Sequence, residues 1–345
     1  MLTIIIPTKN RSDFLIRQLI YLYETGYKHC IDIGDSSTGY HLEQTKLFIR
    51  RVGSKLKINH FEYPVLNSFE TLKQLVNNLS TPYAAFAGDD DFLVPSSLDK
   101  CIEFLEGHQG YSAVHGEGAA ITLNLRGPFG QIVRENYYRQ PIVEHEKASE
   151  RLKHHLHNYS VSLFSVHRTQ TWYAMYRDVN SHSYDGFVEE LLPCSTSVVI
   201  GKIKQLDCFY LMRQNHNQRF ALPTLDKWIL SSNFYKSYDA FSKSLAYNVV
   251  QQDSISMIEA LDIVNEAFTY YLTNRNIHNV IDTFTDNQRQ DLFRLFPKLH
   301  SAKKIQSLNN ANHDLKYMQQ KSLISNDSKY FEDVKPVVKV IKDFR

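Results

Sequence analysis

The chain opens on a β-branched apolar run, Leu2 to Ile6, that stops at Pro7, and from Arg11 to Tyr23 the apolar positions Phe14, Leu15, Leu19 and Leu22 recur at helical spacing. This pattern predicts strand, loop, helix. A second strand is expected at Cys30–Ile33, closed by the polar turn Gly34–Gly39, with a helix over Leu42–Val52 behind it. A third strand over Leu56–Tyr63 and a helix over Phe69–Leu79 follow. The short apolar strand Tyr83–Ala87 then runs straight into Gly88-Asp89-Asp90-Asp91. Strands alternating with helices predict an α/β fold with a mostly parallel central sheet and helices on both faces. In such sheets ligands sit at the carboxyl ends of the strands.

Further on, a helix over Ser97–Leu105 is predicted, then strands at Tyr111–His115 and Ala119–Leu125. Gly127–Ile142 mixes Gly, Pro, Asn and Tyr without a period and reads as a long loop, of the kind that is usually functional. Val161–Val166 reads as a strand, Glu189–Val199 as a helix starting near Gly186, and Ile203–Met212 as the last strand. Beyond Leu222 the texture becomes helical. Ser256 and Glu259 form a capping-box pair, and Met257, Leu261, Val264, Phe268 and Tyr271 trace one apolar face; Asp291–Phe296 and Leu308–Leu323 continue in the same manner. The division is therefore a mixed domain over 1–222 and an all-helical C-terminal region over 223–345. At the far end Val334, Val337, Val338, Ile341 and Phe344 alternate with Lys335, Lys339, Lys342 and Arg345 around Pro336. That segment suits docking on the protein itself, with peripheral contact to an anionic membrane as the alternative.

Composition narrows the classes. Across 345 residues, 43% are hydrophobic and 22% charged, which excludes bulk disorder. A balance of 39 basic against 37 acidic side chains is too even for a nucleic-acid binder held by overall charge. No apolar run approaches the roughly 18–20 residues that cross a bilayer, and the opening residues lack the features of a signal peptide. Cys30, Cys101, Cys194 and Cys208 show no CxxC spacing, against a zinc site or a disulfide scaffold. The expectation is a cytoplasmic protein without a transmembrane segment, at most at the inner face of the membrane.

The strongest chemical signal is Asp89-Asp90-Asp91 at the end of an apolar strand. Adjacent carboxylates repel, and a divalent cation with hard oxygen ligands, Mn2+ or Mg2+, is the simplest way to hold them together. The bland alternative is a solvated acidic turn capping the next helix.

With Ile4-Ile5-Ile6-Pro7-Thr8-Lys9-Asn10-Arg11 and the Asp35-Ser36 pair, this cluster resembles the nucleotide-binding half of the GT-A glycosyltransferases, and within them is most similar to glycosyltransferase family 2. The resemblance covers residues 1–125, a donor-binding half, and more loosely an acceptor half over 126–222. It implies that Thr8, Asn10 and Arg11 line the nucleotide, that Asp35 contacts base or ribose, and that Lys73 lies near the donor. Asp89 then contacts ribose and Asp90 the metal, while a shift of register makes Asp91 the metal ligand. For Asn10 and Asp35 turn chemistry is the plain alternative, and for Lys73 a solvated helix face.

A departing nucleoside diphosphate accumulates negative charge that a divalent ion neutralises, and an inverting reaction needs a carboxylate to take the acceptor's proton. The resemblance puts that base at Glu189 or Glu190, with Asp185 next in line; acids favoured by a helix dipole are the alternative. It also makes His216 a third metal ligand or phosphate donor, and Arg213 and Arg219 phosphate clamps. His154, His155 and His157 lack a carboxylate at matched spacing, and His115, Glu117, His167 and Arg168 have structural explanations.

The implied function is a metal-dependent glycosyltransferase that moves a sugar from a nucleotide-sugar donor, UDP-linked by preference, to a carbohydrate or glycolipid hydroxyl in polysaccharide or glycoconjugate biosynthesis. Nucleotide transfer to sugar phosphates and a non-catalytic binding protein are the alternatives. A homo-oligomer through the helical C-terminal region stays open.

Overall fold

The computed structural model describes residues 1–177, 190–217, 223–275, 277–300 and 322–342. The first third follows the hydrophobic pattern: β1 (Leu2–Thr8), α1 (Ser12–Glu24), β2 (Cys30–Asp35), α2 (Gly39–Val52), β3 (Lys57–Glu62), α3 (Ser68–Asn77) and β4 (Tyr83–Phe86). Asn67 starts α3 with a complete capping box, its side chain accepting from the Glu70 N–H while Glu70 reaches back to the Asn67 N–H. These four strands lie parallel in the order β3-β2-β1-β4. Their carboxyl ends thus bring Thr8, Asp35 and the aspartates after Phe86 to one edge.

The second half is mixed. β5 (Phe92–Leu93), α4 (Pro95–Gly107), β6 (Tyr111–Leu123), β7 (Ile132–Tyr137), α5 (Ala148–His157), β8 (Val166–Arg168), α6 (Thr169–Arg177), α7 (Leu192–Ile200) and β9 (Lys202–Asn215) extend the sheet as β4-β8-β6-β9-β5, with β7 beside β6. Only β6 and β9 pair in parallel here; β5, β7 and β8 run antiparallel to their neighbours.

Three expectations need correction. The two strands at Tyr111–His115 and Ala119–Leu125 are the single strand β6, whose register against β9 shifts around Gly116 and Gly118. Glycine is required there, because a Cβ on Gly116 would lie 2.3 Å from the Cys208 carbonyl oxygen. The expected loop Gly127–Ile142 contains β7, an edge strand with no fully buried position and hence no apolar alternation to read. Val161–Ser165 is not strand, since the Ser165 N–H closes a turn on the Ser162 carbonyl and pairing begins only at Val166. Of the helix expected over Glu189–Val199, α7 realises the part from Leu192, and 178–189 lie outside the described residues.

Beyond 222 come α8 (Leu225–Ile229), α9 (Phe234–Asp253), α10 (Met257–Asn274), α11 (Ile277–Ile281), α12 (Asp286–Leu295) and α13 (Phe331–Lys342). The Ser256 hydroxyl accepts from the Glu259 N–H at 3.2 Å and caps α10, which is one of the two bonds of the expected capping box; the helix expected over Leu308–Leu323 falls almost wholly outside the described residues. Trp228, Phe241, Val264 and Phe268 share one apolar core with Leu75, Leu152, Trp172 and Leu192. Helix α13 returns to α1 and buries Val334, Val337, Val340 and Ile341 in the core beneath the donor half. Docking therefore covers the apolar face that peripheral membrane contact would have used. Among the described residues no helix is long and apolar enough to cross a membrane.

Two buried histidines make the fold acid-sensitive. Burial pushes both His155 and His167 down to about 3, so the unfolded chain binds protons near pH 6.5 that the native chain refuses. Their contribution is complete above pH 6.5 and is lost as pH falls toward 3, by up to about 1.4 kcal/mol per unit for each. Urea midpoints measured from pH 7 to 4 should fall steeply, and less so in His155→Phe; equal slopes would contradict the assignment.

Candidate active site

The loop after β1 is tied to the loop after β2. Asn10 adopts a left-handed φ of 54°, which asparagine tolerates, and from there its N–H donates to Ser37 Oγ at 2.7 Å while its Oδ1 accepts from the Thr38 N–H at 3.1 Å. Asp35 is fully buried, with one carboxylate oxygen on the Ser37 N–H at 2.8 Å and the other on His60 Nε2 at 3.0 Å. Burial opposes its charge, but the bonds from His60 and Ser37 prevail and hold Asp35 below the usual carboxylate range. Asp35 thus closes a local turn on Ser37, and Asn10 ties its loop to the loop after β2. His60, which the sequence did not single out, stands between Asp35 and solvent.

The acidic triplet is not a solvated turn: Asp89, Asp90 and Asp91 are 3%, 7% and 0% exposed. Its backbone is held from α1 by two buried polar residues. Gln18 Nε2 donates to the carbonyls of Gly88 and Asp91 at 2.8 and 2.7 Å. Arg17 donates to the Asp90 carbonyl at 3.1 Å, to Gln214 Oε1 at 2.5 Å and to the Pro128 carbonyl, with its guanidinium against the rings of Phe14 and Phe92. Burial lowers Arg17 to about 10, still charged at neutral pH. A Cβ on Gly88 would meet Asp90 Oδ1 at 2.5 Å and Asp91 Oδ2 at 3.0 Å, so a larger residue there would push these carboxylates aside. Arg17→Leu should cost about 3 kcal/mol or more, since it strands buried acceptors at three points; a denaturation midpoint equal to wild type would refute this support role.

Three groups converge on one point in front of the triplet. Arg11 Nη2 lies 2.9 Å from Asp90 Oδ2, 3.1 Å from Asp89 Oδ1 and 3.1 Å from His216 Nε2. His216 Nε2 is itself 2.6 Å from Asp90 Oδ2, and Phe14 forms a floor, stacked on His216 at 4.8 Å and under Arg11 at 4.6 Å. A single Nε2 cannot donate to Asp90 and accept from Arg11 together. Nε2 therefore donates to Asp90 or accepts from Arg11, and a cation accepting both the Nε2 lone pair and the carboxylate would replace these contacts. Thr8 Oγ1 donates to Asp89 Oδ2 at 2.7 Å. Burial and the neighbouring Asp90 charge push Asp89 up to about 7. Asp90 shares that burial but is held well below the usual range by His216 and Arg11.

The Asp90 carboxylate is the hard oxygen donor that Mn2+ and Mg2+ take, and the His216 imidazole beside it is a softer donor that suits Mn2+ better than Mg2+. Among the described residues no three His, Cys, Asp or Glu side chains are grouped to hold a metal alone. A pair still fits the way Mg2+ is commonly bound, through one or two carboxylates completed by substrate phosphates. Asp91 instead turns to Arg213, whose Nε lies 3.2 Å from Asp91 Oδ2. The Arg213 guanidinium sits 4.0 Å from the Phe164 ring centroid and donates to Tyr138 Oη at 3.0 Å. Although buried, Arg213 is raised above its ordinary value by the Asp91 charge.

Glu190 lies two residues before α7. Its Oε1 accepts from the Tyr159 hydroxyl at 2.8 Å, and its charge, like that of Asp91, is felt by Tyr138. Asp185, Glu189 and Arg219 lie outside the described residues. Lys73 is not brought to the triplet; it lines a separate cleft of about 480 Å³ with Asn77, Gln170, Tyr173 and Arg177. The three histidines of α5 do not converge: His154 faces His145, His155 faces Tyr159 and His157 faces Tyr270. His115 is buried against the carbonyls of Gly116 and Pro141, and His167 against Ser197 Oγ and the Ser165 carbonyl.

No family model matches the chain, and no curated protein matches its sequence. Solved structures do match. Residues 1–349 of S. aureus TarS, solved in complex with UDP-GlcNAc, superpose with a TM-score of 0.54 at 14% identity over 100% of this chain and 93% of that one. The chain has a GT-A-type fold. It shares this fold with TarS residues 1–349 solved without ligand as well, at a TM-score of 0.55 and 12% identity, over 87% of this chain and 80% of that one. Against the longer TarS structure the coverage is 88% of this chain and 49% of the other, so the chain spans about half of that length. Membership of glycosyltransferase family 2 in particular has no such support.

Proposed function

We propose that the protein is a metal-dependent glycosyltransferase that moves a sugar from a nucleoside-diphosphate sugar, UDP-linked by preference, to a hydroxyl of a carbohydrate or glycolipid. The observation that carries this reading is the convergence of Asp90, His216 and Arg11 on one point at the carboxyl edge of a GT-A-type sheet. The likeness to TarS, which is solved with UDP-GlcNAc, favours a UDP-sugar donor.

In this reading Asp90 and His216 hold Mn2+ or Mg2+, which when bound neutralises the charge of the leaving diphosphate. Arg11 is released from the two aspartates and turns to a phosphate oxygen. Arg213, fixed by Asp91 and by the rings of Tyr138 and Phe164, supplies a second, preorganised positive charge. Thr8 and Asp89 face the ribose, and Asn10, Asp35 and His60 set the loop against which the base lies. Glu190 takes the proton of the acceptor hydroxyl as its oxygen forms the new bond to the anomeric carbon. The bond to the diphosphate breaks with its electron pair on the leaving oxygen, and the configuration inverts. Glu189 and Asp185 are the alternative bases. Assembly of a surface polysaccharide or glycoconjugate is the matching biological setting.

Incubation with Mn2+ and a panel of UDP-GlcNAc, UDP-glucose, UDP-galactose and GDP-mannose should show slow donor hydrolysis, stopped by EDTA. A panel in which no donor is bound or cleaved would remove this reading.

A further inference from the structure

We propose that Tyr159 is a positioning residue for Glu190, and that helix α10 of the C-terminal region braces it. The inference rests on the sugar-transfer reading above and adds to it a residue that the sequence did not single out.

The Tyr159 hydroxyl donates to Glu190 Oε1 at 2.8 Å. Burial pushes this phenol well above its ordinary value, so its proton stays on oxygen and the donor is permanent at neutral pH. The ring is fixed from two sides: His155 meets it at 5.2 Å and Tyr271 of α10 stands edge-on at 5.3 Å. Arg275, the residue that caps the carboxyl end of α10, places its guanidinium 5.4 Å from the Tyr159 centroid and 5.2 Å from that of Tyr271. With the ring held in this way, its hydroxyl reaches the Glu190 carboxylate and also meets the Cys194 thiol.

The physical consequence concerns geometry. Glu190 precedes α7, and a carboxylate on a three-bond stem needs a fixed partner to meet an acceptor hydroxyl in line. One oxygen anchored by Tyr159 leaves the other to accept the proton. Tyr138, bonded to Arg213, also feels the Glu190 charge. Helix α10, which follows the α/β part in sequence, thus reaches the carboxylate of the proposed base through the Tyr159 ring, which Tyr271 and Arg275 both contact. The C-terminal region becomes part of the catalytic unit.

Tyr159→Phe keeps the ring and removes only the hydroxyl. With whichever donor of the panel is cleaved, its kcat should fall about 10- to 100-fold, the scale of a misplaced catalytic group, while the KM for donor and the affinity for UDP stay within about twofold. The deciding measurement is a double-mutant cycle. Because Tyr159 acts through Glu190, adding Tyr159→Phe to Glu190→Gln should cost nothing further. A multiplicative loss in the double variant, or an unchanged kcat in Tyr159→Phe, overturns the inference and leaves the sugar-transfer reading standing. Wild-type turnover in Glu190→Gln alone removes the base assignment, and the inference goes with it. A panel with no cleaved donor removes both.

Discussion

Asp90→Ala is expected to abolish the Mn2+-dependent part of UDP binding, weakening it by about 100-fold or more, ~2.7 kcal/mol. Asp90 is the member of the triplet that shares its point of convergence with His216, at 2.6 Å, and Arg11, at 2.9 Å. Its removal leaves Arg11 paired with Asp89 alone and leaves His216 as the single remaining ligand of the proposed ion. Asp91 cannot substitute, because Arg213 holds its carboxylate. Titration calorimetry with UDP in Mn2+ and in EDTA separates the two parts of the affinity. Equal affinities for variant and wild type in Mn2+ would mean that the buried triplet serves only to neutralise arginines.

Glu190→Gln is expected to act in the opposite way. Proton transfer by a positioned carboxylate contributes about 10²- to 10⁴-fold, so kcat should drop on that scale while UDP binding in Mn2+ is unchanged. Glutamine keeps an oxygen for the Tyr159 hydroxyl and preserves the local packing, so the loss reports the missing base. A parallel loss of UDP affinity would place Glu190 on the donor side instead, and undiminished turnover would pass the role to Glu189 or Asp185.

Much of the donor half was legible in the sequence because its signals are local. The β-branched run up to Pro7, the amphipathic helix behind it and the apolar strand that empties into Gly88 each report their state within about ten residues. Parallel order follows from alternation, and alternation places Thr8, Asp35 and Asp89 at one edge. The acceptor half was harder to read. Strand β7 pairs along an exposed edge with no buried face of its own, and β6 looked like two strands because Gly116 and Gly118 interrupt its apolar run. Arg17 and Gln18 sit on a helix whose apolar stripe was clear, and nothing in their spacing marks them as the support of a turn 70 to 73 residues away. Asn10 and Asp35 show the reverse. Their positions were legible, but which use those side chains would have, turn or ligand, depended on partners contributed by other strands.

By itself, then, the order of residues determined the layered α/β arrangement, the edge where Thr8, Asp35 and the aspartates gather and the helical character of the last third, since each follows from short-range periodicity. Tertiary structure alone decided which aspartate faces His216, which one Arg213 holds, and that Tyr159 reaches Glu190 from beneath the C-terminal helices. Those pairings join residues from 31 to 126 positions apart, and contacts at that separation are selected by packing of the whole chain, which no local pattern encodes.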